Sequence, residues 1–256
     1  MPTKHNDQDY KKDEWRARNI TYARRHLRRE DSFLWVEAFG RSGPTSMKTV
    51  VDSKVIPGED HFFGIDNSPE VFWNYYRNGN QEEAGVLQER LKNPRLRYGH
   101  IHSQLVPLST LDIAPIGVFN LDLLGLVGHA NHWHSSYVGA LRTAVENSLE
   151  RLNSCVLIFN HAACMPKHGT LKEIGIAVRN QYAHIKSFVE RTPGVTSTFL
   201  KSPVPEPEVH SAKEFANLRR GKHISSGPWE YYKSHNKTLP MVTTRIVITR
   251  KNKRNA

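Results

Sequence analysis

Short apolar runs rich in β-branched and aromatic residues recur along this chain, and longer segments with apolar residues at helical spacing lie between them. FLWVEAF at 33–39, HFFGI at 61–65, LRYGHI at 96–101, GVFNLDLLGLVG at 117–128 and CVLIFN at 155–160 read as strands. Continuous apolar runs of this length mark strands covered on both faces, which is the condition of a parallel sheet. The intervening segments read as helices. One spans about 12–29, a second starts near Pro44 and stops before Pro57-Gly58, and a third is capped by Ser68 with Pro69 at its first position. Others run through Val86–Leu91, along the stripe Tyr137, Val138, Leu141, Val145, Leu149 and Leu152, and over about 170–190. The alternation predicts an α/β fold, a Rossmann-like three-layer sandwich built on a mostly parallel sheet. MVTTRIVITR at 241–250 predicts a C-terminal antiparallel hairpin at the sheet edge, paired with 229–233 or 195–200. SPVPEPEVH, with three prolines, predicts a surface excursion.

At 256 residues, 38% hydrophobic and 24% charged, the composition fits one globular domain that buries most of its unfolded surface. The expected division is a basic helical extension at 1–30, one α/β domain at 31–250 and a basic tail at 251–256. Cys155 and Cys164 are the two cysteines, and they are read as small hydrophobes rather than as a disulfide framework. The sequence contains no apolar run of membrane-spanning length and no apolar leader, so a cytoplasmic protein without a membrane partner is expected. The formal net charge is +11. Its excess lies at the two ends, in Arg24, Arg25, Arg28 and Arg29 and in Arg250, Lys251, Lys253 and Arg254, which suits the phosphates of a nucleic acid, whether RNA or DNA. A solvated helix face and a soluble tail are the plainer reading of the same runs. Aromatic residues interleave with basic ones around Trp73 and Tyr232, the members of those clusters expected to be exposed for base stacking.

Ligands of such sheets bind beyond the carboxyl ends of the strands. That rule selects Glu37 to Gly43, Asp66 to Ser68, His102 to Gln104 and Asn120 to Gly125. In order and type these residues resemble the class I S-adenosylmethionine-dependent methyltransferases over roughly residues 30–250. Glu37-Ala-Phe39-Gly40-Arg-Ser-Gly43 resembles the family's acid and glycine loop after strand one, Asp66-Asn67 its ribose-gripping acid after strand two, and Asn120-Leu-Asp122 its strand-four motif. The resemblance implies S-adenosylmethionine as cofactor, held by Glu37, Phe39, Gly40, Gly43, Asp66, Asn67 and His102, with Asn120 and Asp122 at the reacting centre. It implies methyl transfer, and the basic ends favour a nucleic acid as acceptor. The glycine loop has two glycines where the family has more, strand three ends in His-Ser-Gln, and no Pro-Pro-aromatic motif follows strand four. Those departures leave a second expectation, a catalytically inactive scaffold of the same fold that binds nucleic acid. His129, His132 and His134 offer three imidazoles within six residues, but on a helix His134 points away from the other two, so no metal is assigned.

Overall fold

The computed structural model describes residues 6–39, 43–77, 95–122, 135–162, 183, 195–197, 223–226, 229–233 and 240–250. Chain order is α1 (Asn6–His26), β1 (Leu34–Ala38), α2 (Gly43–Asp52), a 3-10 turn (Glu59–His61), β2 (Phe62–Asp66), α3 (Pro69–Arg77) and β3 (Leu96–Tyr98). Then follow α4 (Ile101–Ser109), β4 (Ile116–Asp122), α5 (Ser135–Arg151), β5 (Ser154–Ala162), β6 (Val195–Ser197), β7 (His223–Ser226), β8 (Trp229–Lys233) and β9 (Pro240–Arg250).

One sheet holds these strands in the order β3-β2-β1-β4-β5-β9-β8-β7, with β6 also paired to β9. The pairs among β1 to β5 are parallel. Those made by β9 with β5, β6 and β8, and that of β7 with β8, are antiparallel. The α/β three-layer class and the C-terminal hairpin expected from the sequence are therefore present. Both segments named as partners of 241–250 pair with it: β8 takes the end at 240–244 and β6 the end at 248–250. An 11-residue strand is long enough to receive two short neighbours along one edge.

Side chains alternate across the sheet and build two cores. On one face Leu34, Val36, Phe63, Phe119, Leu157, Phe159 and Ile246 pack with Leu105 and Leu108 of α4 and with Tyr137, Leu141 and Val145 of α5. On the other, Trp35, Phe62, Val118, Val156, Ile158 and Val247 pack with Trp15, Ile20 and Ala23 of α1, Leu27 just after it, and Val50 of α2. The basic N-terminal helix is thus part of the sandwich.

The local signals explain most boundaries. Ser68 caps α3, its Oγ accepting from the Val71 N–H at 3.4 Å, and Pro69 opens the helix. α2 stops at Asp52, ahead of Pro57-Gly58, where Lys54 adopts φ of 57°. The segment after strand three departs from expectation. β3 ends at Tyr98, short of the strand expected over 96–101, and 101–109, given no helix by the sequence reading, is the helix α4. Ile101, Leu105 and Leu108 stand at i, i+4 and i+7, a stripe that the interior Pro107 disguises, because proline removes a ladder hydrogen bond. Its ring is exposed, and the burial of Leu105 and Leu108 compensates for the lost bond. His102, expected after strand three, consequently lies in the first turn of a helix.

The predicted helices at 86–91 and 170–190, the proline-rich excursion, the 123–128 end of the fourth run, Cys164 and the basic tail lie outside the described residues. The same holds for the side chains of Trp73 and Tyr232. Among the described residues no helix is long and apolar enough to cross a membrane.

Candidate functional site

The strand order reverses direction between β1 and β4, and the crevice beyond the carboxyl ends of strands at such a switch point is where open α/β sheets place ligands. Glu37 and Asn120 are register partners there. Both are buried, and Asn120 Nδ2 donates to Glu37 Oε2 at 2.8 Å. The Trp35 indole N–H donates to the same oxygen at 3.1 Å. Ser46, buried in α2, faces this carboxylate without regular hydrogen-bond geometry. The Asn120 Oδ1 is a buried acceptor without a hydrogen-bond partner among the described residues. Burial pushes the Glu37 carboxyl above its usual range, opposed by Ser46, Asn120 and Trp35 and by the charge of Arg16 on α1. A carboxylate held this way is the hinge point of the β1, β4 and α2 ends rather than a group open to solvent.

The polar row continues along the same edge. Asn160 of β5 accepts from the Thr243 hydroxyl at 2.9 Å, and Thr243 accepts from the Trp15 indole of α1 at 2.8 Å. Arg245 Nε donates to Asn19 Oδ1 at 2.8 Å. Sequence reasoning missed Asn160, Arg16, Asn19 and Arg245. The signal for Asn160 was present, since Phe159-Asn160 repeats the Phe119-Asn120 break at the end of an apolar strand. Nothing on α1 distinguishes Arg16 from its solvated neighbours until the helix is docked.

Phe39 follows β1, with its N–H donating to Ile65 O, and its ring is buried. It packs edge-on against Tyr75 at 5.2 Å between centroids, and a Cβ placed on Gly43 or Gly64 would fall within it. Gly43 therefore has a packing role independent of any ligand: it leaves room for the Phe39 ring. Gly40 lies outside the described residues.

Asp66 ends β2 and is partly exposed, and its Oδ1 accepts the Ser68 N–H at 2.7 Å. Asn67 is exposed and meets the His100 ring through Nδ2 and Nδ1 at 3.3 Å. His100 stacks on His102 at 5.4 Å, and Tyr98, 52% exposed, meets Phe72 edge-on at 5.6 Å. The ends of β2, β3 and α4 thus bring Asp66, Asn67 and His102 together beside exposed aromatic surface, one strand from the Glu37–Asn120 pair. Asp122 ends β4 opposite Asn160 in register; its side chain, and His129, His132 and His134, lie outside the described residues. Among the described residues no group of three or more His, Cys, Asp or Glu side chains is arranged to hold a metal ion.

This edge offers a partly exposed carboxylate, neighbouring amide and imidazole groups, and flat aromatic faces. It can accept the two hydroxyls of a sugar at Asp66 and cover a planar ring at Tyr98 and His102. No protein-family model matches the chain, and no curated protein does.

Proposed function

We propose that this chain is an S-adenosylmethionine-dependent methyltransferase whose acceptor is a nucleic acid. The observation that carries the reading is Asp66, a partly exposed carboxylate at the carboxyl end of β2, one strand from the switch point and beside Asn67, His102 and Tyr98. The five parallel strands with an antiparallel extension support it at the level of fold, as the family's sheet has that plan. In this reading Asp66 accepts the ribose hydroxyls, Asn67 and His102 line the adenosine side, and the acceptor approaches at the β4 end beside Asn120 and Asp122. Rate then comes chiefly from aligning the acceptor with the sulfonium methyl, a proximity effect.

Titration calorimetry with S-adenosylmethionine and its demethylated product tests it. Micromolar binding is expected, lost in Asp66→Ala and weakened in Asp66→Asn, which keeps the acceptor for the Ser68 N–H and so preserves the turn. Undiminished affinity in Asp66→Ala, or no binding to the wild type, overturns the reading. Phe39 favours the second reading, a cofactor-free scaffold that binds nucleic acid, because its buried ring accounts for Gly43 by packing alone. Absence of cofactor binding together with salt-sensitive nucleic-acid affinity is the outcome that reading requires.

A further inference from the structure

The N-terminal arginine cluster and Arg250, the described member of the C-terminal basic run more than 200 positions away in sequence, meet at the amino-terminal edge of the parallel strands, opposite the candidate site. α1 runs antiparallel to β1 and delivers Arg24, Arg25, Arg28 and Arg29, all exposed, to that edge. β9, antiparallel to β5, ends there with Arg250, also exposed. Glu30 joins them: its Oε1 accepts the N–H groups of Asn153 and Ser154 at 3.0 and 3.1 Å, and Asn153 O accepts the Arg250 N–H at 2.8 Å.

Between α1 and the turn after α2 lies a cleft of about 480 Å³, with Arg24, Arg28 and Lys54 on its walls and Leu27, Phe33 and Ile56 in its floor. Glu30 and Asp31 also line it, and Glu30 is committed to the Asn153–Ser154 backbone. Two cations of this edge bond to neutral carbonyls: Arg24 to Ser53 O, and Arg250 Nη1 to Glu150 O at 3.1 Å. The charge of these two is therefore oriented, and among the described residues no ion pair cancels it. Capping of the α1 C-terminus would need one or two cations, whereas four arginines stand within six residues here.

We propose that this cleft and its flanks bind the phosphodiester backbone of a nucleic-acid strand, as an anchoring surface separate from the candidate site. β4, seven residues long, separates the two edges by roughly 20 Å at about 3.3 Å per residue, so one molecule touching both must be a polymer. The inference rests on the nucleic-acid half of the proposed function and is independent of its cofactor half.

Fluorescence anisotropy with a labelled RNA of about 20 nucleotides, single-stranded and duplex, between about 50 and 200 mM salt reads both affinity and the number of phosphate contacts. In Arg24→Gln/Arg28→Gln/Lys54→Gln the slope of log affinity against log salt is expected to fall by about 2 to 3, with affinity down tenfold or more at the lower salt. Arg25→Gln/Arg29→Gln, which leaves the Arg24–Ser53 contact intact, should lower the slope by about 1 to 2. Arg18→Gln/Lys48→Gln removes charge from the middles of α1 and α2 and should change it by less than about 1. Unchanged slopes in both cleft variants, no RNA binding by the wild type, equal affinity for a mononucleotide, or equal binding of polyglutamate lost in the same variants would each overturn the proposal, the last assigning the surface to an acidic protein. Cofactor calorimetry on the cleft variants separates the two hypotheses: RNA binding lost with cofactor binding intact supports the anchoring surface, whereas a wild type that binds RNA but no cofactor sinks only the methyltransferase reading.

Discussion

Glycine 64 and phenylalanine 39 are a complementary pair, because the ring of one occupies the volume that a side chain on the other would need. Overpacking a filled core costs typically about 1–3 kcal/mol. Gly64→Ala is therefore expected to lower stability by that amount in urea denaturation, and the loss should shrink in a Phe39→Ala background; additive costs would refute the pairing. Glu37 supplies a pH signature. Its folded pKa is raised by burial, so between its ordinary value of 4.5 and the folded value the native state holds a proton that the unfolded chain releases. Stability contributed by that proton is present below pH 4.5 and is lost as pH rises. The stability of the wild type relative to Glu37→Gln should accordingly decline from pH 4 towards neutrality, and a flat or rising difference would contradict the assignment. Cys155 is fully buried and its thiol is pushed up by burial and by the charge of Glu30, which keeps it protonated and unreactive, as its apolar surroundings in the sequence suggest.

Among the elements, α1 carries more than its composition announces. Its inner face, with Leu27 just after its last turn, places Trp15, Ile20, Ala23 and Leu27 in the core, and through Trp15 and Asn19 it satisfies polar groups of β9. Three large side chains at about 1.5–3 kcal/mol each represent about 5–9 kcal/mol, of the order of a whole domain's stability. A chain beginning at residue 31 is thus expected to lose its cooperative thermal transition and to expose apolar surface to a dye. A sigmoidal melt close to that of the full chain would show that the sandwich closes without the helix. α4 carries the opposite lesson, for its apolar stripe is readable only once Pro107 is allowed a solvent-facing place within the helix.

The whole molecule has two chemically distinct poles: the carboxyl edge gathers Glu37, Asn120, Asp66, Asn67 and His102, and the amino edge gathers Arg24, Arg28, Lys54 and Arg250. The sequence by itself determined the α/β class, the five parallel strands and the role of 241–250, because strand and helix periods are local properties that survive without knowledge of neighbours. It also pointed to Asp66 and Asn120, since a polar residue closing an apolar strand in a sheet covered on both faces lies near an edge. Only the tertiary structure decided that Glu37 is held by Trp35 and Asn120, that Gly43 makes room for a ring, that His102 sits on a helix, and that the N-terminal arginines and Arg250 share one edge. Those outcomes depend on strand order and on which face each helix covers, and such long-range pairings leave no periodic trace in the residues that make them.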